Sequence, residues 1–154
     1  MKYLTPELKK YYMDDFNNNV IKCNHEYWGL DDGLLEICTN INKNPNVQTV
    51  YSKRYSGRIN EEPISYLWIL FSEQTDTNKI NKFIRECKSK FKYFLFEYEQ
   101  KPKPIVYTST EVKNLCLNDP NYLKYGFINI LIHSEKLKDH KSFWNTIDKH
   151  LKNW

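Results

Sequence analysis

VQTVYSKRYSGRINEEPISYLWILF, residues 47–71, reads as two strands joined by a basic glycine turn. Val47 to Ser52 alternates and is rich in β-formers. Ile64 to Phe71 is an apolar and aromatic run interrupted only by Ser65, the composition of a strand covered on both faces. Between them the chain must turn, and there Lys53, Arg54 and Arg58 crowd around Tyr55 and Gly57.

Working outward, apolar periodicity places helices on both sides of this pair. Upstream, Thr5-Pro6-Glu7 combines a capping hydroxyl, a proline where no amide donor is needed and an acid at the positive end of the helix dipole. Leu4, Leu8, Tyr11, Tyr12, Phe16 and Val20 follow at roughly helical spacing. Asp31 is placed to cap a second helix, Asp32 to about Lys43, with Leu34, Leu35, Cys38 and Ile41 as its apolar stripe. Asn42 to Asn46, around Pro45, is a stop-and-turn segment.

Downstream, Thr75 or Asp76 caps a helix carrying Ile80, Phe83, Ile84, Cys87 and Phe91, while its other face presents Lys79, Lys82 and Arg85, a second basic surface. Strands are expected at Tyr93–Tyr98, at Ile105–Tyr107 and at Phe127–Ile132, with a short helix through Leu117 and a turn at Asn118 to Asn121. From Ser134 a terminal helix turns Leu137, Trp144, Ile147 and Leu151 inward, keeps Lys136, Lys138, Lys141, Lys149 and Lys152 in water, and leaves His140 and His150 at the surface or its boundary. The order α α β β α β β (α) β α predicts an α/β (α+β) fold: one layered domain across residues 1–154, a mixed sheet of about five strands with helices packed on it.

A chain of 154 residues with 40% hydrophobic content suits a single core. With 12 Tyr, 8 Phe and 4 Trp, much of that core should be aromatic rings. The net charge of +4 is unevenly spread: 5 basic against 7 acidic residues over 1–50, 9 against 7 over 51–100, and 9 against 5 over 101–154. Such a gradient favours an anionic partner on the later two thirds. Neither an apolar signal core nor a run of 18 apolar residues occurs, so the expectation is a cytoplasmic protein without membrane attachment. Cys23, Cys38, Cys87 and Cys116 lack CxxC spacing and read as reduced thiols. Cys23, His25 and Glu26 do not complete a four-ligand zinc set, so no metal is expected. His133, at a strand end, has no nucleophile set beside it by spacing, and Walker, HExxH and GxGxxG motifs are absent from the sequence.

The helix DDGLLEICTNIN, the strand ending VQTVYS, the tetrapeptide Ser56-Gly57-Arg58-Ile59 and the strand YLWILF together resemble the wybutosine-synthesis methyltransferase family of tRNA modification. They are also similar to small bacterial and phage proteins with a serine-cysteine, glycine-histidine motif at this place. The likeness covers about residues 31–85. It implies a layered α/β fold, an S-adenosylmethionine site and a tRNA substrate. Where the family has a cysteine before SGR, this chain has Tyr55, and Arg58 replaces the histidine form.

Three functions follow as expectations. The first is a non-catalytic protein with no cofactor that recognises RNA or a nucleotide through Ser52, Lys53, Arg54, Tyr55, Ser56, Gly57 and Arg58. In that loop Gly57 allows close backbone approach, Arg58 can grip phosphate bidentately, and Tyr51 and Tyr55 can stack on a base. The second is a protein-binding inhibitor or adaptor of a phage or mobile element, anchored by Tyr27, Trp28 or Trp154. The third, implied by the resemblance, is an S-adenosylmethionine-dependent RNA methyltransferase.

Overall fold

A computed structural model describes residues 3–21, 33–98 and 128–154. In chain order they form α1 (Pro6–Asp15), a π-helical continuation (Phe16–Ile21), α2 (Leu34–Asn42), β1 (Val47–Lys53), β2 (Ile64–Phe71), α3 (Thr77–Lys90), β3 (Phe94–Tyr98), β4 (Ile128–His133) and α4 (Leu137–Leu151). The four strands make one sheet in the order β1-β2-β4-β3, an α+β fold. All three pairings are antiparallel, where a mixed sheet is expected from the sequence. The expected strand at Ile105–Tyr107, the helix through Leu117, the turn at Asn118 to Asn121, and Cys23, His25, Glu26, Tyr27, Trp28, Asp31, Asp32 and Cys116 lie outside the described residues.

β2 is the centre of the packing, as its long apolar run requires. Leu67, Ile69 and Phe71 join Ile128, Ile130 and Ile132 of β4 in one cluster with Leu34, Cys38 and Ile41 of α2, Ile80, Phe83 and Cys87 of α3, and Phe143, Trp144, Ile147 and Leu151 of α4. The alternate residue Leu70 meets Leu4 and Leu8, with Tyr11, Tyr12, Val50 and Trp68 around them. Three helices therefore cover one face of β2, and α1 packs on the other. A β-bulge between Thr49 and Tyr51 shifts the alternation of β1, so that Tyr51 pairs with Trp68 and Ser52 with Leu67. This shift decides which side chains at the end of β1 face the helices.

The asparagine-rich turn does more than stop a helix. Asn42 bonds Thr49 through both ends of its amide, at 2.8 Å each. Asn44 donates to the carbonyls of Leu151 and Trp154, both at 3.0 Å, tying the end of α4 to the start of β1. Lys9 of α1 donates to the carbonyls of Asn42 and Val47, and burial draws its ammonium pKa down to about 8.

Thr5 caps α1 as expected, its hydroxyl accepting from the Leu8 amide, and Asp76 caps α3. α2 differs at its start: Gly33, at φ +80°, occupies the position before Leu34. α4 begins at Leu137, three residues after Ser134, whose hydroxyl instead accepts from the Lys136 amide and donates to Asp139. Leu137, expected in the core, is 54% exposed. Trp154, expected as an interface anchor, is buried against Phe71 and Phe83.

Candidate anion-binding site

The β1–β2 connection folds back on itself because two residues adopt left-handed backbone. Gly57 has φ +78° and Asn60 φ +65°, conformations that suit glycine and, next to it, asparagine. At Gly57 a Cβ would also lie 3.2 Å from Leu137 Cδ1, so the turn seats directly on the first residue of α4. The Glu61 amide closes onto the Arg58 carbonyl at 3.2 Å, which returns the Glu61 side chain beneath the turn.

There the Glu61 carboxylate accepts from the amides of Ser56 and Arg58, at 3.2 Å each, and from the Ser56 hydroxyl at 2.5 Å. Convergent amides in a tight turn form an oxyanion nest, and here a side chain of the same loop fills it. The Ser56 hydroxyl above all, then the backbone amides of Ser56 and Arg58 and the charge of Lys53, hold the Glu61 carboxyl below its ordinary pKa.

Beside this nest lies a cleft of about 490 Å³ lined by Gly33, Lys53, Arg54, Tyr55, Ser56, Arg58 and Glu61. Five of the seven residues singled out from the sequence therefore share one cavity. The other two do not. Ser52 faces the helices, within hydrogen-bonding reach of the Cys38 thiol, because the bulge in β1 turned it inward. Gly57 backs onto Leu137. Among the described residues, three cations and one carboxylate give the lining a formal charge of +2. Arg54 lies against Gly33, where a Cβ would sit 2.8 Å from its Nη1, so the glycine before α2 makes room for the guanidinium.

A buried polar relay positions Tyr55. Its amide donates to the Ser65 hydroxyl at 3.0 Å, and that oxygen lies 2.7 Å from His140 Nδ1. His140 Nε2 in turn lies 2.7 Å from the Ser134 carbonyl, which can only accept. Nε2 therefore donates to that carbonyl, and in the ring's neutral form Nδ1 accepts from the Ser65 hydroxyl. Both side chains are buried, and the Tyr55 ring packs on the imidazole at 4.8 Å between centroids. His140 is thus a core residue, not the surface residue its helix position suggests: the β1–β2 loop folds over it. Ser65, the single break in the apolar run of β2, supplies its partner. His150 is likewise buried, with Nε2 donating to Glu86 at 2.5 Å.

The aromatic expectations divide. Tyr55 lines the cleft, whereas Tyr51 stands edge-on to Trp68, on the other face of the sheet from Ser52 and Cys38. The second basic surface lies apart from the cleft, on α3. Lys79 donates to the Asn153 carbonyl at 2.7 Å, and Lys82 and Arg85 are exposed on α3 without lining the cleft.

Residues not anticipated from the sequence come instead from α4. A second groove of about 340 Å³, lined by Arg54, Tyr55, Ser56, Leu137, Lys138, His140 and Lys141, adjoins the cleft. Lys138 and Lys141 were legible only as solvated helix positions, since nothing local shows that the β1–β2 turn lies beside them. Among the described residues there is no group of three or more His, Cys, Asp or Glu side chains able to hold a metal ion, and no helix long and apolar enough to cross a membrane. Comparison with protein-family models, with curated proteins and with solved structures finds no match to this chain.

Proposed function

We propose that the cleft formed by Lys53, Arg54, Tyr55, Ser56 and Arg58 binds the phosphate of an RNA segment or nucleotide, and that the protein acts by binding and not by catalysis. The observation that supports this reading is Glu61: the turn's amides and the Ser56 hydroxyl already gather an oxyanion, with three cations lining the cleft beside it. A phosphate can be held there by the guanidinium and ammonium groups, with Tyr55 offering an aromatic edge to a base. The binding role without chemistry follows the tyrosine at the position where the resembling family carries a cysteine.

Fluorescence anisotropy with labelled single-stranded RNA, supplemented by nucleotide competition, tests the proposal. The K53A/R54A/R58A protein should bind at least about tenfold more weakly, and the slope of log affinity against log salt should shrink by about 2. Equal affinity of variant and native protein, or no binding of any RNA or nucleotide, would reject it.

A further inference from the structure

The cleft does not end at the β1–β2 turn. Arg54, Tyr55 and Ser56 line both it and the groove against α4, and Lys138 and Lys141 line both that groove and a third, of about 400 Å³. The third is lined by Lys90, Lys138, Lys141, Ser142, Asn145, Thr146 and Lys149. Shared walls make the three depressions one path, running from the turn along the outer face of α4 to the end of α3.

Seven basic side chains border this path: Lys53, Arg54, Arg58, Lys138, Lys141, Lys90 and Lys149. Among the described residues lining it, Glu61 alone is acidic. Glu86 lies at the far end, bonded to Lys90 at 2.7 Å and 3.5 Å from Lys149, and Asp139 is engaged by the Ser134 hydroxyl. Midway along, Lys138 and Lys141 make no ion pair among the described residues. From Lys138 to Lys149 the helix extends about 16 Å, long enough for several successive phosphates of one strand. Ser142, Asn145 and Thr146 intersperse hydrogen-bonding groups between the lysines.

Resting on the reading of the cleft given above, we infer that this path is a track for the backbone of single-stranded RNA several nucleotides long, with one phosphate at the turn and the following ones along α4. A positively charged groove that follows a backbone is the usual design for binding strands with little sequence preference. A flexible single strand can bend from the cleft onto the helix face, whereas the phosphates of a duplex keep a fixed spacing.

The experiment compares a uridylate dinucleotide, an oligouridylate of about nine nucleotides and a duplex of the same length, each titrated into the native protein and into K138A/K141A. The native protein should prefer the nonamer to the dinucleotide by tenfold or more. K138A/K141A should remove most of that preference, weakening nonamer binding by at least about fivefold more than dinucleotide binding. Circular dichroism of the variant should match the native protein, since both lysines are exposed. Nonamer binding that is indifferent to the two lysines, or duplex binding as tight as the single strand, would overturn the track while leaving the cleft standing. Failure of the native protein to bind even the dinucleotide and the nonamer would overturn both.

Discussion

Glu61 and Ser65 each do something their residue type alone does not announce. Glu61 is both the best sign that the turn holds oxyanions and a competitor for any ligand that arrives there. Its replacement by glutamine keeps an acceptor for the Ser56 and Arg58 donors and removes one negative charge beside the three cations. With that charge gone, E61Q should bind RNA several-fold more tightly at low salt, with the gain fading as salt is added. An affinity that falls would show that the carboxylate helps to organise the cleft. Ser65 is buried between the Tyr55 amide and His140 Nδ1. S65A leaves both groups without their partner, and thermal or urea unfolding should register a loss of about 1–3 kcal/mol. An unchanged midpoint would mean the relay adds nothing to stability.

At the scale of elements, α3 and α4 are joined by an ionic knot as well as by rings. Glu86 accepts from Lys90 and from His150, and these hydrogen bonds, that from Lys90 first, hold its carboxyl at about 2 in place of the ordinary 4.5. A carboxyl whose pKa is depressed on folding stabilises the fold fully above its unfolded value. The contribution of Glu86 is therefore intact above pH 4.5 and lost as pH falls toward 2. Urea midpoints of native and E86Q protein should differ at pH 6 and converge as the pH approaches 2, and a pH-independent difference would rule the charge out as its source. Both helices were legible from apolar spacing, since Ile80, Phe83 and Cys87 repeat as one stripe and Trp144, Ile147 and Leu151 as another. Their ionic contact was not, because Glu86 and His150 are 64 residues apart.

Across the whole molecule, the sheet and its three-helix layer bury the two thiols whose environment is described. Burial pushes both Cys38 and Cys87 up to about 12, with the neighbouring Glu86 charge adding to the effect at Cys87. Alkylation followed by peptide mass mapping at pH 8 should leave both unmodified in the folded protein and label both in denaturant. Rapid labelling of either in the native state would contradict the packing. What the sequence alone determined was the identity and period of the elements: hydrophobic residues recur every two positions or every three to four, and that repetition is a local property of the chain. It also marked Lys53, Arg54, Tyr55, Ser56 and Arg58, because a glycine turn with cations is visible in a short window. Tertiary structure alone decided that Ser52 turns inward at a bulge, that Glu61 fills the turn, that His140 is buried under the loop and that Lys138 and Lys141 extend the cleft. Each of these depends on where the β1–β2 turn comes to rest against the start of α4, a contact between residues about 80 positions apart that only the packing of both onto β2 and β4 creates.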